Sequence, residues 1–596
     1  GDFTGAMAVS VMLSVAASFL LAMTLIPTFA AYLDQRFPIK ATDQNSWWIK
    51  GYTNAKLARY YQLSIRWIVK HPGGGVLIAM VLPLAGFVLA TTLTSSFFPP
   101  VDRNQFQVQI ILPANTSLAD TQVVVERVRQ RLIAMDEVVS SQWFVGEGAP
   151  RVYYNMMENN DGVASFASGF VTTREVNDPL KILPLLQKTM IAEFPAARIM
   201  IMPFEQGPPF AAPIEIRVVG PNLDVLKQLG EQLRFLLSEI EQVTYTTATL
   251  SGSSAQLSVY PKANKLAVLN LRNQELPLQL NGKLTGIDAG SVMEGSTEVP
   301  IMVRVNNRVR GDLDRLSTST VVASDSQYAG YGGIPLEQVA EIRLEPSPTN
   351  INRYQGERVD TVSGFLLPYT YPSLAIGEFR QRLASAAIVV PDGYRIQFGG
   401  EEEERGEAVG NIISTFTMYL WLMVAVIVLS LNSFRYAGII GIIGLSSIGL
   451  ALLGVWLSGH PFGYMALIGT LGLIGLAING GIIVLSALKA NQLAVSGDKE
   501  AIVFVVMDST RHIVSTTVTT IGGFLPLILS GGQFWPPLAM SIAGGVAGSA
   551  ILALYLVPAM FTYFSRKDAR RRLTGAGDEL PPAVLHEPPL AEGSRS

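Results

Sequence analysis

Five stretches of the chain contain no Asp, Glu, Lys or Arg: Phe3–Leu33, Gly73–Val101, Ala408–Phe434, Tyr436–Leu488 and His512–Ser565. A helix needs about 20 apolar residues to cross the hydrocarbon of a bilayer, and each charge inside it is costly. The last two stretches exceed 50 residues and must each fold back once. Turn-forming residues stand where that requires, at Ser458-Gly459-His460-Pro461-Phe462-Gly463 and at Ser530-Gly531-Gly532-Gln533-Phe534-Trp535-Pro536-Pro537. The pattern predicts seven spans. Only 15% of residues are charged, against roughly 25% in soluble domains, which excludes a wholly soluble or disordered chain.

Orientation follows from where the cations lie. The segment Asp34–His71 carries Arg36, Lys40, Lys50, Lys56, Arg59, Arg66 and Lys70 against two aspartates, and a second basic run starts at Arg566-Lys567. By the positive-inside rule both are cytoplasmic, which puts the two uncharged turns outside beside Trp456 and Trp535. The region 34–72 includes Trp47, Trp48, Tyr52, Leu57, Tyr60, Tyr61, Ile65 and Ile68 among basic residues, and Trp47–Lys70 reads as an amphipathic helix on the inner membrane surface. Residues 566–596 read as a cytoplasmic disordered tail. An odd number of spans with an outside N-terminus leads us to expect an N-terminal part preceding Gly1.

Between the second and third spans lie 310 residues of ordinary globular composition, Phe98–Glu407. Strand-like Gln105–Leu112 precedes helix-like Leu118–Ile133, and Pro213–Val219 precedes Leu223–Ile240. This alternation predicts βαβ units packed as α/β sandwiches. Arg198–Met202 and Tyr394–Phe398 would close two of them. Pro261–Val339, richer in Asn, Gly and Ser, reads as an insert whose far boundary falls between Pro335 and Pro346.

Familiar catalytic signatures are absent: there is no phosphate-cradling Gly-x-x-x-x-Gly-Lys-Ser/Thr, no His-Glu-x-x-His and no Gly-x-Ser-x-Gly. No cysteine is present, so thiolate chemistry, disulfides and cysteine-ligated metals are excluded, and the four histidines are scattered. A net charge of −3 gives no basic surface for nucleic acid. An enzyme or ATP-driven pump is not expected on this chain; transport, if it occurs, requires an ion gradient and no cofactor. The polar groups within the spans are Asn479 beside Gly480-Gly481, and Ser515-Thr516-Thr517-Val518-Thr519-Thr520. Such hydroxyls commonly bond their own helix or glue neighbouring helices. The small-residue run Gly544–Ser549 reads as a tight helix contact. Outside the membrane, Trp143, Phe144, Tyr153, Tyr154, Phe166 and Phe170 gather within 28 residues, as a domain core or as the wall of an apolar pocket. The methionines Met156, Met157, Met200 and Met202 read as strand core and gap-filling rather than as soft-metal ligands.

These segments together resemble the C-terminal half of resistance-nodulation-division (RND) efflux transporters, nearest the hydrophobe/amphiphile multidrug branch. The resemblance spans roughly residues 1–570. It rests on Leu25-Ile26-Pro27-Thr28, Phe97-Phe98-Pro99-Pro100-Val101-Asp102, Leu112-Pro113-Ala114-Asn115-Thr116-Ser117, Phe398-Gly399-Gly400-Glu401 and Arg511–Pro526, in the family's order. It implies a polytopic α-helical membrane protein with a large α/β extracytoplasmic porter and docking region of ferredoxin-like βαβ subdomains. The implied division is spans at 1–33, 73–100 and 408–565, porter subdomains at 101–210 and at 211–260 with 347–400, and a docking subdomain at 261–346. Function would be proton-driven export of amphiphilic compounds across a bacterial inner membrane, by a homotrimer working with a missing N-terminal half, a periplasmic adaptor and an outer-membrane channel. Phe170, Phe166, Trp143, Phe144, Tyr153 and Tyr154 would line the substrate pocket, and Thr516 and Asn479 would serve proton relay. The family's intramembrane aspartate pair lies on a span outside this chain. In many members a lysine stands where Asn479 does, and an Arg-x-Arg-Pro stands where this chain has Ser509-Thr510-Arg511-His512. Two alternatives are a non-transporting or degenerate partner subunit and an exporter of heavy metals.

Overall fold

The computed structural model describes residues 2–36, 54–100, 102–114, 116–152, 156, 160–251, 253–269, 271–306, 311–322, 333–348, 350–386 and 388–573. Among them, seven helices are long and apolar enough to cross a membrane, one for each span expected. The first run forms α1 (Asp2–Met23) and α2 (Leu25–Arg36), broken at Thr24. Pro27 accounts for the break, since it has no N–H to donate and its ring crowds the Met23 carbonyl four residues back. The hydroxyls of Thr24 and Thr28 donate instead to the Leu20 and Thr24 carbonyls, both at 2.6 Å.

Helix α3 (Ala55–Lys70) starts where the Asn54 side chain accepts hydrogen bonds from the Lys56 and Leu57 N–H groups. The 47–53 part of the expected amphipathic helix lies outside the described residues. Pro72 opens α4 (Pro72–Ala90), in the first turn where proline is tolerated.

The first sandwich consists of β1 (Gln105–Ile111), α5 (Leu118–Ile133), β2 (Val138–Val145), β3 (Phe166–Thr173), α6 (Asp178–Glu193) and β4 (Arg198–Pro203). Its strand order is β2-β3-β1-β4, antiparallel throughout. Neither helix joins neighbouring strands. Both cover one face, with Val125, Val128, Leu132, Leu183, Leu186 and Met190 against Phe106, Val108, Ile110, Val171 and Ile199.

The second sandwich begins with β5 (Ile214–Val219), α7 (Leu223–Ser238) and β6 (Val243–Ala248). The chain then leaves on β7 (Ser253–Pro261), makes an exposed hairpin of β8 (Ile287–Glu294) and β9 (Thr297–Val303), and returns on β10 (Ala340–Pro348), which pairs with β7 along its length. The excursion has its own small core, including Leu266, Leu276, Leu280, Val321, Leu336 and Val339. The boundary region expected at Pro335–Pro346 runs into β10. Then β11 (Glu357–Leu366), α8 (Pro372–Ser385) and β12 (Arg395–Gly400) complete a five-stranded sheet whose order β6-β11-β5-β12 repeats that of the first sandwich, with the short strand Asn352–Tyr354 added against the start of β11.

The remaining helices are α9 (Glu401–Leu431), α10 (Phe434–Ser458), α11 (Tyr464–Ala490), α12 (Lys499–Leu529), α13 (Pro536–Ile551) and α14 (Val557–Leu573), with one π-helical turn at Leu552–Leu556 between the last two. Both long apolar runs reverse at the expected turns, where Gly459, Gly531 and Gly532 take φ of 71°, 73° and 86°, open to glycine at no steric cost. The Gly544–Ser549 run makes the tight contact expected: a Cβ on Gly544 would stand 2.8 Å from the Gly454 Cα of α10. Helix α14 continues through Arg566 to Leu573, so residues 566–573 are helical where a disordered tail was expected. Residues 574–596 lie outside the described residues.

Candidate functional site

Successive side chains on a strand point to opposite faces, so helices that cover one face of the first sheet leave another row on its far side. Phe106, Val108 and Ile110 of β1 enter the helix-covered core, and Gln105, Gln107 and Gln109 point away. Register carries this across the sheet. Gln107 stands opposite Phe170 and Met202, Gln109 opposite Ser168 and Met200, and Phe144 opposite Ser168.

The far face is therefore a largely apolar wall. Phe144 meets Phe170 edge-on with ring centroids 6.4 Å apart, and Phe170 lies 5.7 Å from Phe204, just past β4. Ala149 and Met156 complete this cluster, and Phe166 on the same face is buried. Polar groups sit among them: the buried Gln107 Nε2 donates to the buried Ser168 Oγ at 3.2 Å, and half-buried Gln109 stands opposite Ser168 and Met200. Apolar surface with a few fixed polar groups suits a ligand that is greasy and carries some polarity.

Trp143 does not belong to this wall. It neighbours Phe144 in β2, so it faces the other way and packs on the helix-covered core. Its indole lies across Gly169, where a Cβ would stand 2.7 Å from the ring. Tyr153 and Tyr154 lie outside the described residues. Sequence reading missed Phe204, Gln107 and Ser168. The two polar residues were findable from the alternation of β1 and β3; Phe204 sits beyond its strand and carried no periodic signal. Met200 is buried and Met202 half-buried on the wall side, so the methionines face the apolar cluster rather than the helices. Among the described residues, no group of three or more His, Asp or Glu is placed to hold a metal ion.

In the helical region Thr516 is exposed on α12, and its Oγ1 donates to the His512 carbonyl at 2.8 Å. Thr519 and Thr520 bond back in the same way, to Ser515 and Thr516. The hydroxyls are thus satisfied within their own helix and line one exposed face of it. Asn479 is also exposed, on α11; close packing there falls to its neighbour Gly481, where a Cβ would stand 2.5 Å from Ile443 Cδ1. No described residue of α2 is buried, and α9 buries only Glu401, Ile427 and Leu431.

Two sets of contacts tie the sandwiches to the helices. Phe98 stacks over Phe534 at 6.3 Å and lies 5.0 Å from Tyr464, while the Phe97 N–H donates to Glu401 Oε1 at 2.6 Å. Asp102 Oδ2 accepts from the Gln533 N–H at 3.1 Å. From the second sandwich, Arg217 pairs with Glu403 at 2.7 Å while lying 4.4 Å over the Tyr354 ring, and Arg380 pairs with Glu402 at 2.7 Å. The start of α9 is therefore held by the second sandwich and by the Phe97 connector that leads from α4 into β1.

A bundle of seven apolar, span-length helices bearing two α/β sandwiches, one with an apolar wall, defines a polytopic membrane protein with a large folded domain outside its spans. The model of the AcrB/AcrD/AcrF family matches residues 1–565, and the chain belongs to this family of RND efflux transporters. It is 21% identical to the nickel-cobalt-cadmium resistance protein NccA of Alcaligenes xylosoxydans xylosoxydans, across 97% of this chain and 54% of that protein. It is 23% identical to the multidrug resistance protein MdtC of Citrobacter koseri, across 98% of this chain and 55% of that protein. A crystal structure of a heavy metal efflux pump superposes with a TM-score of 0.70 at 20% identity, covering 87% of this chain and 52% of that one. The chain spans about half the length of the relatives it matches.

Proposed function

We propose that this chain serves proton-driven export of amphiphilic and hydrophobic compounds across a bacterial inner membrane. The observation that carries the reading is the wall of Phe144, Phe166, Phe170, Phe204 and Met156 around the Gln107–Ser168 pair. Rings and a thioether adapt to ligands of different shape, and one buried amide orients a polar end. The shared β-α-β-β-α-β order of the two sandwiches supports reading them as ferredoxin-like porter subdomains, with residues 261–346 as a docking subdomain.

Coupling runs through the hydroxyl face of α12, where Thr516 serves proton relay with Asn479 on the adjoining helix. The carboxylates that bind the proton come from a second helical half, which covers the exposed faces of α1, α2, α9 and α12. Motion reaches the wall through the start of α9, whose Glu401 binds the Phe97 connector into β1. A homotrimer, a periplasmic adaptor and an outer-membrane channel complete the pathway.

The test is efflux of an amphiphilic dye from cells expressing the gene. Phe170→Ala with Phe204→Ala slows it at least about fivefold, as expected for losing two aromatic contacts of roughly 0.5–1.5 kcal/mol each, and a protonophore abolishes it. The names of some relatives favour a second reading, export of divalent metal ions. Amide, hydroxyl and thioether groups on the wall suit such ions poorly compared with imidazole or carboxylate. Metal tolerance that depends on the gene, with no gradient-driven dye efflux, would select that reading; dependence of neither would select a non-transporting partner subunit.

A further inference from the structure

Helix α3 has three different sides. Ile65, Ile68 and Val69 are buried against the other helices, together with half-buried Tyr61. On an adjoining arc of about 120°, taking 100° per residue, Leu57, Tyr60, Leu63 and Trp67 stand out with exposures of 69%, 73%, 51% and 45%. Along one edge of that stripe run Arg59 and Lys70, and Lys56 stands within it at the first turn, all exposed.

The helix cannot roll to hide the stripe. Tyr61 OH is hydrogen-bonded to Thr510 Oγ1 of α12 at 2.9 Å, and Ser64 Oγ to Tyr555 OH in the π turn at 3.1 Å. Arg66 is paired with Glu500 at 2.9 Å, and Arg566 of α14 donates to the Val69 and Lys70 carbonyls at 2.8 and 3.2 Å. Arg566 also opens the run Arg566-Lys567-Asp568-Ala569-Arg570-Arg571-Arg572, so a second source of positive charge begins beside Lys70. Among the described residues, no carboxylate pairs with Lys56, Arg59 or Lys70.

We propose that this side of α3 is a docking surface for the anionic phospholipid headgroups of the cytoplasmic leaflet. The stripe of Leu57, Tyr60, Leu63 and Trp67 enters the acyl boundary, where a helix of this kind lies in the plane of the interface. Lys56, Arg59 and Lys70 then reach the phosphate layer on their aliphatic stems. Water suits the stripe poorly and a neutral headgroup leaves the cations uncompensated; an anionic headgroup over acyl chains satisfies both. The inference rests on the reading of the apolar helices as spans and of α3 as cytoplasmic, and is independent of what is transported or what drives it.

The test reconstitutes the full chain into nanodiscs of phosphatidylcholine mixed with phosphatidylglycerol and measures the preference of its lipid shell with spin-labelled lipids. The account expects preference for the glycerol lipid, reduced about tenfold in the Lys56→Gln, Arg59→Gln, Lys70→Gln triple variant, since each surface cation adds measurably to the attraction. The same number of charges removed at Lys188, Lys227 and Lys265, in the large domain between the second and third spans, leaves the preference unchanged. Equal preference in the wild type and the α3 triple variant overturns the proposal, as does an equal loss in the control triple. Inorganic phosphate that abolishes the preference when chloride at the same ionic strength does not would reveal a small-anion site instead, and also overturns it.

Discussion

Arg217 and Glu403 form an ion pair at 2.7 Å across the joint between β5 and α9, and Glu215 binds the other arm of the same guanidinium at 2.8 Å. Both arms of the fork are used, which a lysine cannot reproduce. Arg217 and its two carboxylates are mostly shielded, with side-chain exposures of 14%, 27% and 10%. Its removal leaves two carboxylates facing each other without a counter-charge.

Arg217→Met is therefore expected to destabilise the chain by about 2–3 kcal/mol, below the range for fully buried pairs because Glu403 keeps some solvent. Arg217→Lys loses less. A thermal-unfolding cycle with Glu403→Gln should return a coupling of at least about 1 kcal/mol; additive effects would show that the pair contributes nothing to the joint.

Asp360 gives the second sandwich a pH dependence. Its Oδ1 accepts from the Leu250 N–H at 2.9 Å, while Oδ2 is buried without a partner over Gly230, where a Cβ would stand 1.9 Å away. Burial pushes its carboxyl up to about 6. The folded state thus holds a proton that the unfolded state releases from about pH 4 upward. Stability from this group is present below pH 4, declines as pH rises, and is lost above about pH 6, amounting to about 3 kcal/mol at most. Relative to Asp360→Asn, the wild-type melting temperature should fall between pH 4 and 6; a pH-independent difference would contradict this.

Gly169 makes room for Trp143. Gly169→Ala forces a methyl to within 2.7 Å of the indole and should cost about 1–3 kcal/mol. Adding Trp143→Leu should relieve most of that cost. No relief in the double variant would mean that the indole is not what Gly169 accommodates.

Thr516 bonds only its own helix, through the His512 carbonyl, so Thr516→Ala should leave stability within about 0.5 kcal/mol. Gradient-driven efflux should nonetheless fall about a hundredfold, the low end of what a positioned proton-transfer group contributes, and Thr516→Ser should restore it. Unchanged efflux in the alanine variant would remove Thr516 from the relay.

The spans could be read from sequence because hydrocarbon tolerates so few charges that their absence marks the helices, and glycine-rich breaks marked both reversals. Helices α5 and α7 and strands β1 and β5 were visible in their periodicity. Strand order was not, because crossovers through α5 and α6 separate strands adjacent in sequence, and nothing local encodes that. The wall was half visible. Phe144, Phe166 and Phe170 stood out as aromatics, but grouping Trp143 with them overlooked that neighbouring strand residues face opposite ways. The π turn at Leu552–Leu556 contains no glycine or proline to mark it.

The absence of cysteine permits the most direct test of the wall. Single cysteines replace Phe144 or Phe170 on it and Val139, which is 62% exposed elsewhere on β2. Each is labelled with a maleimide in the presence and absence of an amphiphilic dye. The account predicts that the dye slows labelling at positions 144 and 170 at least about threefold, as occupancy of an apolar pocket requires, and leaves position 139 unaffected. Labelling at all three positions that ignores the dye would contradict the claim that this wall binds the transported compound.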